Sequence, residues 1–321
     1  MHALVLSGGN IKGAYQAGIV STLLQAGYVP EIATGVSVGA LNAGYLAGLA
    51  PAGSIPDWPA IGRRLEGLWR EHVTSPESLV RKRSIPSVLW NLIRKRWKGL
   101  VDTEPLVEVV RRELATVDPR RTAIRLRVGA VNILSGDLVY KDSTEPRLVD
   151  YILASAAEPI AMPLQVIDDQ PYYDGGLRDI APLKQAIELG ATRVICALCQ
   201  TVGVKPVEPH FNRGDAFHLV SRVVAVTSNE ILRNDIETFL EINRQLLLDG
   251  SQPMIADKRY IPILVVRPAA AIPFDVENFT SADIGRMIDQ GKTDAIREVK
   301  AAQADPGQIG HEIARELRLL D

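Results

Sequence analysis

Cysteine, aromatic residues and net charge are all scarce in this chain of 321 residues. It contains two cysteines, aromatic residues make up 5% of it, and the formal net charge is −2 at pH 7. A charge so close to neutral gives no reason to expect a nucleic-acid partner. Cys196 and Cys199 lie in a strand-like run with no second pair of cysteines. The sequence therefore predicts buried thiols rather than a zinc site or a disulfide framework.

Long apolar runs, metal-binding clusters and targeting signals are missing as well. No uninterrupted hydrophobic run approaches the roughly 20 residues that a membrane-spanning helix needs. The first residues lack the basic region and the cleavage pattern of a signal peptide. No cluster of histidine, aspartate and glutamate has the spacing of a metal site. We therefore expect a cytoplasmic protein without a metal, whose 46% hydrophobic residues are available for a large core.

Short apolar runs alternate with helical patterns along most of the chain. Residues 3–6 and 193–199 are typical of buried strands, whereas residues 14–24 and 38–49 are typical of helices that pack on a sheet. The links between such segments are short. This alternation predicts an α/β fold of three layers, in which a mostly parallel central sheet is covered by helices on both faces.

The most informative stretch is residues 32–44, where a short apolar strand runs into Gly35-x-Ser37-x-Gly39 and then directly into a helix. A strand, tight turn and helix in this order hold a serine hydroxyl exposed, and the glycines provide the clearance. This is the geometry of a nucleophile elbow. The same five-residue pattern also occurs in ordinary glycine-rich turns. The choice between a nucleophile elbow and such a turn therefore depends on the other motifs.

A glycine-rich loop, residues 7–13 (SGGNIKG), follows the first predicted strand and precedes a helix. Such a loop leaves several backbone N–H groups unpaired beside the positive end of a helix dipole, which makes a cradle for an anion. The chain lacks the Gly-Lys-Ser/Thr of a P-loop, and Asn10 stands where a dinucleotide fingerprint needs its middle glycine. A developing oxyanion is therefore favoured over a nucleotide.

Downstream, Asp174-Gly175-Gly176 closes a short aromatic strand. A carboxylate within hydrogen-bond reach of a serine can act as its general base, although Asp-Gly alone is also a common turn. The glycine-rich loop, Gly-x-Ser-x-Gly and Asp-Gly-Gly, in this order, resemble the patatin-like phospholipase family of lipid acyl hydrolases. The resemblance spans about residues 3 to 200, and residues 99–106 and 154–163 match as well.

The resemblance implies a catalytic dyad in which Ser37 is the nucleophile and Asp174 is its base. It implies an oxyanion hole built from the backbone amides around Gly8, Gly9 and Asn10, and it implies no cofactor. Further positions that support the motifs are Lys12, Gly13, Gly35, Gly39, Gly175 and Gly176.

The chain departs from the family pattern at two positions. Asn10 stands where a third glycine is usual, and asparagine is the side chain most tolerant of positive φ, so the change bears on the geometry of the hole. Met162 stands where an aromatic residue is common. Because methionine is a flexible apolar side chain, this change bears on the fit of the acyl chain more than on chemistry.

The resemblance predicts a serine acyl hydrolase that cleaves fatty-acyl esters of phospholipids, lysophospholipids or related lipids. A soluble thioesterase or small-ester hydrolase would use the same chemistry on another substrate. A catalytically silent protein that binds an acyl chain or a phosphate is a third interpretation, supported by Asn10. An α/β-hydrolase triad would need a histidine after the acid in the chain, and His210 and His218 have that order.

Residues 78–101 contain seven cations and no acid. Leu89, Ile93 and Trp97 recur in them at helical spacing, which predicts a helix with an apolar side and basic flanks. This composition suits peripheral contact with an anionic membrane surface, and it also suits a cap helix over the site. The candidates for membrane contact are Trp90, Arg94, Lys95, Arg96 and Trp97.

The motifs also divide the chain. We interpret residues 1–200 as a patatin-like catalytic core that carries a basic, tryptophan-containing and cap-like insertion at about residues 51–101. Residues 201–321 would complete the same domain with helices and a strand.

Overall fold

The computed structural model describes residues 1–201, 216–248 and 258–319. Eight of the strands in these ranges form one sheet, and β3 and β4 form a separate two-stranded ribbon. The strands are β1 (His2–Leu6), β2 (Ile32–Val36), β3 (Arg81–Lys82), β4 (Val101–Asp102), β5 (Arg125–Asn132), β6 (Leu138–Asp142), β7 (Gln165–Ile167), β8 (Gln170–Asp174), β9 (Arg193–Ala197) and β10 (Ile263–Val266).

Helices connect most of these strands. They are α1 (Gly13–Gln25), α2 (Val38–Gly48), α3 (Trp58–His72), α4 (Ile85–Ile93), α5 (Glu104–Val117), α6 (Leu148–Ser155), α7 (Leu183–Glu188), α8 (Ala216–Leu248), α9 (Ser281–Ala304) and α10 (His311–Ala314). Within the described ranges, no helix combines the length and the apolarity that crossing a bilayer requires.

The large sheet is mixed, and its parallel part is the longer one. The strands β10, β9, β1, β2 and β5 are neighbours in that order and run parallel. β6 and β8 pair with β5 in the antiparallel direction, and β7 continues antiparallel from β8. The prediction of a mostly parallel sheet is confirmed.

β1 shows why both faces of the sheet need a cover. Leu4 and Leu6 belong to one buried cluster, and Ala3 and Val5 belong to another, since successive side chains of a strand point to opposite faces. Side chains from α1, α2, α3, α6 and α9 complete the first cluster, and side chains from α7 and α8 complete the second. The three predicted layers are confirmed.

The C-terminal helix α9 packs on α1 at the start of the chain. Met287 and Ile288 of α9 lie in the same buried cluster as α1. The Tyr15 hydroxyl donates to Asp294 Oδ2 at 3.1 Å, which links the two helices by a buried polar contact. These contacts support our interpretation that the C-terminal residues complete the same domain.

The insertion at residues 51–101 has a buried part and an exposed part. α3 contributes several buried residues to the core, whereas α4 has none. The sequence pattern predicted a helix that continues to Trp97, and this is wrong at its C-terminal end. The helix ends at Ile93, and Lys95 has a φ of 53°, a left-handed conformation that an α-helix cannot contain.

Candidate active site

Ser37 lies at a strained turn between β2 and α2. Its backbone has φ 57° and ψ −131°, a conformation that costs a non-glycine residue roughly 1–3 kcal/mol. Close contacts explain the flanking glycines, because a Cβ on Gly35 would lie 2.2 Å from the Gly39 oxygen and one on Gly39 would lie 2.1 Å from the Leu6 oxygen. The Ser37 N–H donates to the buried Ser155 Oγ at 2.8 Å. The turn thus has the form of a nucleophile elbow, with Ser155 as an added support.

Asp174 reaches this turn because two strands share one edge of β5. β2 runs parallel to β5 and ends where Val36 pairs with Gly129. β8 runs antiparallel to β5 and ends where Asp174 pairs with Ala130, the next residue along. β6 pairs with β5 across both positions, so it occupies the opposite edge. The C-terminal ends of β2 and β8 therefore meet, and the Ser37 hydroxyl lies close enough to the Asp174 carboxylate to affect its pKa.

The surroundings of Asp174 raise its pKa to about 7. Burial is the largest cause, because it disfavours the charged form, and the nearby charge of Glu158 raises the pKa further. The adjacent Ser37 hydroxyl and the hydrogen bond from the Gly176 N–H, which lies 2.7 Å from Oδ1, lower the pKa and act in the opposite direction. A carboxylate with a pKa near neutrality is well matched to proton transfer at neutral pH.

The glycine-rich loop brings backbone amides to the same place. The Gly8 N–H donates to the Ile180 oxygen at 2.9 Å, so it is not available to an oxyanion. The set of candidate donors in the predicted oxyanion hole is therefore smaller. The N–H groups of Gly9 and Asn10 have no hydrogen-bond partner among the described residues, and they remain the candidate donors.

The buried residue Cys199 packs against the glycine-rich loop. A Cβ on Gly9 would lie 2.2 Å from the Cys199 Cβ, so only glycine fits at this position. The Cys199 N–H donates to Ser7 Oγ at 3.0 Å. Cys199 and Cys196 are both buried and free of a disulfide, as predicted. The second cysteine thus belongs to the packing around the loop.

A buried polar network fastens the loop to its neighbouring helices. Trp69 Nε1 donates to Asn42 Oδ1 at 2.9 Å, and Asn42 Nδ2 donates to the Gly13 oxygen at 3.0 Å and to Gln16 Oε1 at 2.9 Å. Gln16 Nε2 donates in turn to the Ser7 oxygen at 3.2 Å. Fully paired networks of this kind fix one arrangement. The sequence did not lead us to predict roles for Gln16 and Asn42, although polar residues inside apolar helical patterns were an available signal.

Ser37 and Asp174 both line a cavity of about 980 Å³. Much of its wall is apolar and comes from α2, α3, α5 and residues 268–279. Other predicted site residues that line it are Gly8, Gly9, Asn10, Lys12 and Gly176. A concave, mostly apolar space with a few polar groups at one point is typical of a ligand site.

Some of the residues singled out in the sequence do not meet at this site. Residues 81–100 contribute nothing to the cavity wall, so the membrane-contact candidates lie elsewhere, with the Arg94 guanidinium 4.3 Å from the centre of the Trp90 ring. His210 lies outside the described residues, and so does the side chain of His218. In the part of the chain that the structure describes, no three His, Cys, Asp or Glu residues cluster as metal ligands would.

Comparisons with known proteins give one clear relationship. No curated protein sequence matches this chain. Among solved structures, the crystal structure of VipD from Legionella pneumophila is similar, with 13% sequence identity and a TM-score of 0.44 over 100% of this chain and 71% of that one. That likeness is too distant to compare sites. The sequence model of the family described as Patatin-like phospholipase matches residues 4–187, which is more than half of the chain and contains the turn at Ser37, the glycine-rich loop and Asp174. The chain belongs to the patatin-like phospholipase family.

Proposed function

We propose that this protein is a serine acyl hydrolase that cleaves fatty-acyl esters of phospholipids, lysophospholipids or related lipids. The observation that carries the proposal is the position of Ser37 beside the buried Asp174 carboxylate on the wall of an apolar cavity. A serine beside an acceptor is the arrangement of an activated nucleophile. The family supports lipid substrates.

The geometry suggests a reaction in two stages. Ser37 Oγ attacks the ester carbonyl carbon while Asp174 takes the hydroxyl proton, and the N–H groups of Gly9 and Asn10 stabilise the oxyanion. The tetrahedral intermediate collapses, and the leaving alcohol departs with the proton from Asp174. Water then attacks the acyl-enzyme, with Asp174 again as the base, and the fatty acid is released. The chain's own residues supply every group in this sequence.

The acyl chain would lie along α2. Ser37, Leu41 and Tyr45 follow one another at intervals of four residues, and all three line the cavity. The helical rise places Tyr45 about 12 Å beyond Ser37. Val110 and Leu114 of α5 line the same cavity and are buried. An apolar channel beside the nucleophile favours a long acyl ester over a small polar one.

The exposed helix α4 would bring this cavity to a lipid surface. Ile85 is 76% exposed and Ile93 is 75% exposed, and Leu89, Trp90 and Leu92 of the same helix are exposed as well. Contiguous exposed apolar residues usually mark an interaction surface, and the seven cations around this helix suit anionic lipid. Leu79 and Val101, which flank the segment, line the cavity, so a membrane-bound α4 would hold the cavity next to the bilayer. This favours membrane contact over the cap interpretation.

Hydrolysis should be measured on a chromogenic acyl ester and on phospholipid vesicles. We expect turnover by the wild type and a loss of several orders of magnitude in Ser37→Ala and Asp174→Asn, because each removes a group that acts in the transition state. Ser54→Ala, a change to an exposed serine, is the matched control and should behave as the wild type. A fluorophosphonate should label Ser37 and no other serine.

The same experiment separates the alternatives. Turnover of the chromogenic ester without turnover of vesicles would support the soluble thioesterase or small-ester hydrolase. A folded wild type that neither hydrolyses an ester nor reacts with fluorophosphonate would leave the silent binding protein and overturn the proposal. Hydrolysis that is unchanged in Ser37→Ala would overturn the proposed nucleophile.

A further inference from the structure

The contact between Asn10 and Glu158 involves no group that acts directly in the proposed reaction. Asn10 Nδ2 donates to Glu158 Oε2 at 3.2 Å. The two residues lie 148 positions apart, so the contact ties the glycine-rich loop to the segment between α6 and β7. Both side chains line the cavity that contains Ser37.

The side chain of Asn10 is held on both sides of its amide. While Nδ2 donates to Glu158, Oδ1 accepts from the Ile11 N–H at 2.7 Å. The backbone of Asn10 has a φ of 56°, in the left-handed region that a non-glycine residue seldom adopts. These two hydrogen bonds fix the side-chain amide of Asn10. They therefore also fix the direction of its backbone N–H, which is one of the two candidate donors to the oxyanion.

Glu158 contributes charge as well as a hydrogen bond. Burial raises its pKa, and no cation among the described residues forms an ion pair with it. Its charge is one of the causes that raise the pKa of Asp174. Besides Asp174, the other charged or titratable side chains on the cavity wall are Lys12, Tyr45, His72, Glu113, Cys199, Arg222, Asp275 and Glu277.

Building on the proposed hydrolase, we propose that Glu158 is a positioning residue of the active site. Through Asn10 it holds the Gly9 and Asn10 N–H groups toward the ester oxygen. The asparagine at the family's third glycine position and the glutamate at residue 158 thus form one functional unit.

Two substitutions of Glu158 separate its two effects. Glu158→Ala removes both the acceptor and the charge, whereas Glu158→Gln keeps an acceptor for Asn10 and removes only the charge. We expect kcat on the chromogenic ester to fall about tenfold or more in Glu158→Ala and in Asn10→Ala, with KM within about twofold, since the oxyanion donors act in the transition state. Glu158→Gln should lose less than Glu158→Ala. Asp169→Asn, at an exposed turn carboxylate with a φ of 59°, is the control.

The pH profile tests the charge. Without the neighbouring negative charge, the pKa of Asp174 falls, so the acidic limb of kcat/KM should move to lower pH in Glu158→Gln. An alkyl trifluoromethyl ketone, which forms a tetrahedral adduct on a serine, should bind more weakly to Glu158→Ala and to Asn10→Ala. The double variant Asn10→Ala/Glu158→Ala should be no worse than the poorer single variant, because both changes break one contact.

The outcomes distinguish this inference from the proposed function. If the wild type hydrolyses esters while Glu158→Ala matches Asp169→Asn, or while the two single effects simply add, the positioning role is wrong and the hydrolase stands. If the wild type turns over no ester but reacts with fluorophosphonate, the labelling rate replaces kcat in the same set of variants. A wild type that does neither overturns both proposals.

Discussion

Asp174 meets Ser37 end to end, because Val36 before the serine and Asp174 itself pair with consecutive residues of β5. The distance between Ser37 and Asp174 is therefore set by sheet register rather than by a flexible loop. The surrounding burial raises the pKa of Asp174 to about 7.

Activity should depend on the ionisation of Asp174. The base accepts a proton only as the carboxylate, so kcat/KM should rise with pH through about 7, where the pKa of Asp174 lies. This is checked by measuring kcat/KM for a water-soluble ester from about pH 5 to about pH 9, a range that brackets the pKa. Activity that is already constant at pH 5 would show that Asp174 is not the titrating base.

Asp174→Asn should stabilise the protein at alkaline pH. The folded-state pKa of about 7 lies above the ordinary value of 3.8, so the folded protein binds the proton more tightly and loses stability as pH rises between these values. Asparagine has no such ionisation. We expect the variant to gain of the order of 1–4 kcal/mol in free energy of unfolding at pH 8 and little below pH 4. Urea unfolding measures this, with Asp169→Asn as control. A constant difference across pH would contradict it.

Narrowing the cavity beside Ser37 should shorten the preferred acyl chain. Leu41→Trp places a larger side chain one turn from Ser37 on the cavity wall. We expect kcat/KM for long-chain esters to fall about tenfold to a hundredfold, with short-chain esters much less affected, because the lost burial is that of the distal methylenes. A chain-length series measures this. Leu134→Trp, at a side chain that is 72% exposed, is the control. An equal loss for all chain lengths would contradict the channel along α2.

Neutralising the three cations that directly follow α4 should weaken binding to anionic vesicles. Each cation near an anionic surface contributes about 1 kcal/mol, so Arg94→Gln/Lys95→Gln/Arg96→Gln should lower the partition coefficient about a hundredfold at low salt. Sedimentation with vesicles measures it. The control removes the same charge from three exposed cations elsewhere, one on α9 and two after α10, as Lys300→Gln/Arg315→Gln/Arg318→Gln. Equal losses in the two triple variants would mean that net charge, and not this surface, governs binding.

Trp69→Phe should destabilise the fold although it keeps an aromatic ring. The change removes the donor to the buried Asn42 Oδ1, now 2.9 Å away, and leaves that oxygen unpaired. We expect a loss of roughly 1–3 kcal/mol in the free energy of unfolding by urea. Trp90→Phe, at a ring that is 55% exposed on α4, should change it by less than about 0.5 kcal/mol. Similar values for both variants would show that the network adds little.

Local patterns in the sequence predicted the layers of the fold and the turn at Ser37. They could do so because strand periodicity and the glycines around the serine are short-range signals. The Gly8 amide shows where such signals end. Its N–H donates to the oxygen of Ile180, which is remote in sequence, so the loop sequence alone could not show that this donor is already paired.

Contacts between segments that are distant in the chain could not be predicted from the sequence either. The contact between Asn10 and Glu158 and the meeting of β2 with β8 depend on how distant segments pack, and neither residue type nor spacing encodes them locally. The predicted C-terminal end of α4 was wrong for a related reason. Leu89, Ile93 and Trp97 keep a helical spacing, but the chain leaves the helix at Lys95, and no glycine or proline marks that position.

Because β2 and β8 pair with successive parts of β5, the length of these strands determines whether the Asp174 side chain faces Ser37. Successive residues of a strand face opposite sides of a sheet, so one residue inserted into β8 would turn the Asp174 carboxylate toward the other face, away from Ser37. The hairpin turn between β5 and β6 carries no such constraint. Variation within this architecture should therefore accumulate in turns and in the insertion before α5, while the register of β2, β5 and β8 is inherited as one block.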